Sequence, residues 1–119
     1  MPTTPPPPPI NRHWVLEQIG DDEDLLREIA AVFMLDSPDL RQRLADCLSS
    51  GDAAALHATA HCAKSAVGNF GSPLAVAAAV ALEEAAKTGD TAALPALTTQ
   101  LCSALLSVEE ALQREVLNP

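Results

Sequence analysis

The chain has 119 residues, which is enough for one domain with its own hydrophobic core. Apolar residues make up 48% and aromatic residues 3%, so the composition excludes global disorder and disfavours a sheet-rich fold, whereas abundant Ala and Leu favour helices. The net charge of −9 argues against binding to nucleic acid or to anionic membranes.

The N-terminus and the cysteines indicate a cytoplasmic protein. Six of the ten prolines lie in residues 1–9, which are predicted to be an extended tail or linker before a domain at 10–119. The three cysteines are far apart and form no CxxC pair, so neither a disulfide framework nor a thiolate metal site is expected. We expect no signal peptide and no membrane span.

Capping residues, prolines and glycines predict six helices, beginning near residues 11, 21, 38, 53, 73 and 91. Ser37-Pro38 is interpreted as the start of the third, because the hydroxyl can cap a helix and proline fits its first turn. Pro95 is expected to distort the last helix near its first turn. Short loops make neighbouring helices antiparallel. The predicted fold is all-α, an up-and-down four-helix bundle with one or two short additional N-terminal helices.

The predicted helix after Asp52 carries polar and small residues on one face. At 100° per residue, His57, Lys64, Ser65 and Gly68 fall within about 60° of His61. The opposite face carries the apolar positions Leu56, Thr59, Ala63, Ala66 and Phe70. His61 is therefore predicted to face water or a partner, where a neutral imidazole can act as a nucleophile. A solvated polar face without a function explains the same spacing.

Residues 57–65 of this helix read His-Ala-Thr-Ala-His-Cys-Ala-Lys-Ser, and Gly71 follows. This segment resembles the signature of histidine-containing phosphotransfer (HPt) domains, roughly His-x-x-Ala-His-x-Leu-Lys-Gly, five residues, then Gly-Ala. Residues 82–90 resemble the Leu-Glu-x-Ala-Ala-Arg-x-Gly-Asp segment of the same family. Phe33, 37–40 and 51–52 also fit, so the resemblance covers almost all of 10–119.

The resemblance implies that His61 is the phosphoacceptor and that Lys64 balances the charge of the phosphoryl group. It also places polar residues near the active face on the next helix. Lys87 is interpreted as one of these, and Glu83 as its ordinary i,i+4 ion-pair partner. His57, Ser65 and Gly68 are predicted to support the site or to allow close approach of a partner.

Two positions depart from the family pattern. Ser65 stands where the family has glycine, which predicts slower transfer, and Ala63 stands where it has leucine, which predicts looser packing. Ile10, Trp14 and Ile19 of the first helix are candidates for the docking surface.

The implied function is a phosphorelay carrier that takes a phosphoryl group from a receiver-domain aspartate and passes it to another. The partners are receiver domains, a hybrid sensor histidine kinase, or both. The resemblance implies no cofactor of the chain's own, with Mg²⁺ supplied by the receiver. The sequence contains no Gly-rich nucleotide-binding motif, so we expect a carrier rather than an ATP-dependent enzyme. A monomer is expected.

Three alternatives stay open at the level of sequence. A helical adaptor would dock receivers without accepting phosphate. A metal site would use His57 and His61, although Ala58 replaces the glutamate of a zincin motif. A sensor-kinase dimerisation domain would have an acidic residue where Cys62 stands.

Overall fold

The computed structural model describes residues 7–118, which form five α-helices and a terminal π-helical turn and contain no strand. The α-helices are α1 (Arg12–Gln18), α2 (Glu23–Ser50), α3 (Ala53–Gly68), α4 (Pro73–Thr88) and α5 (Leu94–Leu112), and the π-helix is Gln113–Leu117. Helices α2 and α4 each pack against both α3 and α5, whereas α3 and α5 make few contacts. The predicted four-helix bundle is therefore confirmed, with α1 as its one short additional N-terminal helix.

Helix α2 runs through the point where a helix start was predicted. Pro38 is inside it, and the hydroxyl of Ser37 donates to Glu109 of α5 (2.9 Å) instead of capping a helix. The buried stripe of α2 continues past this point, from Leu26 to Leu44. Proline removes one helical hydrogen bond, but its ring is exposed here, and burial of the continuous stripe outweighs this loss.

Local signals set the end of α2 and the starts of α3 and α5. Gly51 ends α2 in the left-handed conformation (φ 70°), and the Asp52 side chain caps α3 by accepting from Ala55 N (3.0 Å). Helix α5 begins at Leu94, later than predicted, because 91–93 form a turn. Pro95 therefore lies in the first turn, where its missing N–H costs nothing.

The N-terminal segment is fastened to the α3–α4 turn. Asn11 N donates to Phe70 O (2.8 Å), and Ile10 is buried in the core. Of the predicted tail, residues 1–6 lie outside the described residues. Within the described part of the chain, no helix is both long enough and apolar enough to span a membrane.

Candidate functional site

The polar face predicted on α3 is present and lies along α4. The His61 side chain is 58% exposed, whereas Leu56 and Ala63 on the other side of α3 are completely buried. Burial of that apolar side fixes the rotation of α3 about its axis, and so it directs His61 outward. The predicted orientation of His61 agrees with the structure.

Glu83 of α4 joins His61 to Lys64. Its Oε1 lies 3.1 Å from His61 Nδ1, and its Oε2 lies 3.0 Å from Lys64 Nζ. The ion pair with Lys64 and then the hydrogen bond from His61 hold the pKa of the Glu83 carboxyl below its usual range. An ionised carboxylate can only accept, so Nδ1 of His61 donates and carries the proton. The other nitrogen, Nε2, therefore keeps its lone pair on the exposed side of the ring, where it is available as a nucleophile.

His57, one turn earlier on α3, has a different environment. Its Nδ1 donates to the main-chain oxygen of Glu83 (3.0 Å), and its Nε2 lies 4.0 Å from Glu83 Oε1. A phosphoryl group on this Nε2 would approach the carboxylate and be repelled by it. Of these two histidines, His61 is the one whose free nitrogen points away from negative charge.

The ion pair predicted between Glu83 and Lys87 does not form. The Glu83 carboxylate turns toward α3, and Lys87 is exposed on α4. Sequence reasoning therefore missed Glu83 as part of the site. A signal was available, because His61 and Lys64 on one face of α3 are both donors and need an acceptor from the neighbouring helix.

Ser65 and Gly68 are small residues, so they leave space at the surface of α3 beside His61. The Ser65 hydroxyl donates to the main-chain oxygen of His61 (3.3 Å), so it lies against its own helix. A Cβ added to Gly68 would meet no atom within 4 Å, so this position is open to a partner. Ala63 is completely enclosed by its neighbours. The roles predicted for Ser65 and Gly68 remain predictions.

The three docking candidates of α1 and its flanks have different environments. Ile10 is 3% exposed and belongs to the core, so it offers no surface to a partner. Trp14 is partly exposed, but its ring packs against Gly71 at the α3–α4 turn. Ile19 is half-buried against the core.

A more exposed apolar surface lies between α2 and α3. Val32 is 57% exposed and lies at the edge of a shallow cavity of about 240 Å³. The cavity is lined by Ile29, Val32, Phe33, Asp36, Ala66, Asn69 and Phe70. Ala66 belongs to α3 and Asn69 is its C-cap, so this cavity, here called the α2–α3 groove, lies on the side of α3 that faces α2. No local sequence signal indicates this groove.

Among residues 7–118, no group of three or more His, Cys, Asp or Glu side chains is arranged to hold a metal ion. His57 and His61 both bind Glu83, His57 through its main-chain oxygen and His61 through its carboxylate.

Comparisons with known proteins agree with this geometry. The model of the Hpt domain family matches residues 28–115. A similar solved structure is the crystal structure of histidine-containing phosphotransfer protein B (HptB) from Pseudomonas aeruginosa PAO1. It is 28% identical, with a TM-score of 0.85, and the match covers 96% of this chain and 99% of that chain. No curated protein sequence matches significantly.

Proposed function

Because the chain belongs to the Hpt domain family and is a histidine phosphotransfer carrier of phosphorelays, we propose that His61 is its phosphoacceptor. The observation that carries this proposal is the geometry of the His61 ring. Its Nδ1 is held by Glu83 at 3.1 Å, while the ring itself is 58% exposed. This arrangement leaves Nε2 unprotonated and accessible to a partner.

The proposed reaction is an in-line transfer between His61 and a receiver aspartate. The Nε2 lone pair attacks phosphorus, the bond from phosphorus to the aspartyl oxygen breaks, and the aspartate leaves as a carboxylate. The ring then carries positive charge, which the Glu83 carboxylate stabilises through the Nδ1–H hydrogen bond. Transfer to a second receiver reverses these bond changes and restores the neutral ring.

Lys64 is the residue proposed to balance the charge of the phosphoryl group. It lies one helical turn after His61, and its ammonium is one-third exposed while it pairs with Glu83. A flexible lysine can exchange the carboxylate for the phosphoryl oxygens without moving the helix. Lys87 is a second positive charge, on α4, and is exposed.

Receiver domains are the partners of this family, and we propose that a receiver docks over the α2–α3 groove. The groove combines exposed apolar area at Val32 with direct access to the helix that carries His61. Buried apolar contacts supply the affinity of such surfaces, while Ser65 and Gly68 leave room near the reacting ring. Mg²⁺ is proposed to come with the receiver, and no ATP-dependent step is proposed for this chain. The proposed location is cytoplasmic, and the proposed state is a monomer.

The direct test is phosphotransfer from labelled receivers. The chain is incubated with Mg²⁺ and each member of a panel of phosphorylated receiver domains, and acid-labile, base-stable phosphate on it is measured. We expect label on the wild type and none on His61→Gln. His13→Gln is the matched control, because His13 is more exposed (87%) and lies on α1 away from the site.

Three outcomes would contradict the proposal. Label that persists in His61→Gln would move the phosphoacceptor elsewhere. Label that disappears in His13→Gln would do the same. No label from any receiver, combined with normal receiver binding by His61→Gln, would favour a docking adaptor. Docking is tested separately with Val32→Asp, which should weaken receiver binding, and with Leu106→Asp as a control on α5.

A further inference from the structure

The second histidine of the α3 polar face has no role in the reaction described so far. We propose that His57 is a positioning residue, which holds Glu83 so that Glu83 in turn keeps His61 in its Nδ1–H form. This inference rests on the proposed function of His61. Its geometric part can be measured without any transfer.

A hydrogen bond from His57 connects α3 to α4. His57 Nδ1 donates to the main-chain oxygen of Glu83, so it fixes the backbone from which the carboxylate extends. The buried residues of α4 are mostly alanines, at 75, 79, 85 and 86. Alanine side chains are short and interlock little, so they restrict sliding of α3 past α4 weakly. The hydrogen bond at residue 83 adds a directional contact to this packing and so helps to set the register.

His57 does not compete with His61 for the Glu83 carboxylate. Since Nδ1 of His57 is committed as a donor, its Nε2 in the neutral ring has a lone pair and no hydrogen. This lone pair lies 4.0 Å from Glu83 Oε1 and offers that oxygen no competing donor. Oε1 therefore remains with His61 Nδ1, and Oε2 remains with Lys64. The charged group that faces His57 here is Glu83 from α4, which also binds His61.

The position of Glu83 affects the reaction through the choice of the protonated nitrogen in His61. A neutral histidine can place its proton on either ring nitrogen, and the choice depends on the hydrogen bond that the other nitrogen makes. If Glu83 moves away from His61, molecules with the proton on Nε2 become populated. Those molecules cannot attack phosphorus until the proton moves. His57 thus acts on the population of reactive His61 and touches no reacting atom.

The test compares two substitutions of His57. His57→Leu removes the donor, whereas His57→Asn keeps an N–H group close to the position of Nδ1. Thr59→Ala is the stability control, since Thr59 is buried on the other side of α3 and bonds only to groups away from the polar face. Long-range ¹H–¹⁵N spectra report which nitrogen of His61 is protonated. Transfer from a phosphorylated receiver and urea unfolding are measured on the same samples.

We expect the wild type to hold His61 in the Nδ1–H form. His57→Leu should shift His61 toward a mixture of forms and slow transfer about tenfold, by analogy with the lower end of the loss seen when the residue that orients a metal-bound histidine is removed. His57→Asn should restore both properties, and Thr59→Ala should change only stability.

Each alternative result has one meaning. If His57→Leu leaves the protonation of His61 unchanged, the inference is wrong and His57 merely stabilises the helix pair. If protonation shifts while transfer keeps its rate, the claimed effect on the reaction is wrong. If wild type accepts no phosphate but His57→Leu still shifts the protonation, the proposed function fails and the positioning chain stands.

Discussion

The buried contact between Ser37 and Glu109 gives a quantitative test of how α2 is held against α5. Ser37 is completely buried, and its hydroxyl donates to Glu109 Oε2 (2.9 Å). Arg41 approaches the same carboxylate with two nitrogens, at 2.8 and 3.1 Å. The perturbation is a double-mutant cycle of Ser37→Ala and Glu109→Leu.

The magnitudes follow from the exposure of each partner. Glu109→Leu leaves a buried hydroxyl without its acceptor, but Arg41 is 31% exposed and can reach water. We therefore expect a loss of about 3 kcal/mol, the lower end for breaking a buried ion pair. Ser37→Ala removes one hydrogen bond to a charged acceptor and should cost about 1.5 kcal/mol. After Glu109→Leu, the hydroxyl has lost its partner, so Ser37→Ala should then cost almost nothing.

Urea unfolding of the four proteins measures this coupling, which we expect to be about 1.5 kcal/mol. Thermal midpoints should follow, at about 4 °C per kcal/mol for a chain of this size. If Ser37 acted as a helix cap, as its sequence context suggests, the two substitutions would be independent. Additivity within about 0.5 kcal/mol would therefore refute the reasoning.

Three further predictions concern the site and its surroundings. Gly71→Ala should destabilise the fold by about 2 kcal/mol, because φ is +60° and the new Cβ would lie 2.9 Å from a Trp14 ring carbon; unchanged urea unfolding would contradict this. The pKa of Glu83 is lowered in the fold, so its carboxylate stabilises the protein above the ordinary value of 4.5, and this contribution disappears as the pH falls through the folded pKa. Wild type should thus exceed Glu83→Gln in stability at neutral pH and lose this advantage in acid, whereas a pH-independent gap would count against the assignment. Ser65→Gly should lower stability by about 0.5 kcal/mol and leave transfer no slower, and slower transfer would show that the hydroxyl assists.

Local signals predicted those parts of the fold that depend on neighbouring residues. Asp52 caps α3 and Gly51 ends α2 as expected, because the hydrogen bonds and the backbone conformation involved are short-range. Ser37-Pro38 carries the same kind of local signal, and there the prediction was wrong. The hydroxyl binds a residue 72 positions away, and α5 buries the stripe that keeps α2 continuous. Such a contact cannot be obtained from a window of ten residues.

The site also has parts that one helix determines and parts that depend on how the helices pack. His61 and Lys64 were identified because they lie on one helix, where the period of 3.6 residues gives their relative directions. Glu83 and the α2–α3 groove depend on which helices are neighbours and at what register. Without that register, an i,i+4 partner within α4 was the simplest interpretation for Glu83. The packing of α3 against α4 contradicts that interpretation, because His61 and Lys64 of α3 bind the Glu83 carboxylate in place of Lys87.

The positive charges of the chain are distributed in a way that suits a carrier. Both of its lysines, Lys64 and Lys87, lie on the α3–α4 pair, while all five arginines lie elsewhere. An arginine binds phosphate through two parallel hydrogen bonds, whereas a lysine interacts as a mobile point charge. A module that accepts a phosphoryl group must also release it, so a firm bidentate clamp beside His61 would oppose the second half of its task. In the proposed reaction, the pairing of Lys64 with Glu83 would limit its hold on the phosphoryl group further. We therefore expect the partner to balance the remaining negative charge, so that transfer depends on docking rather than on the carrier alone.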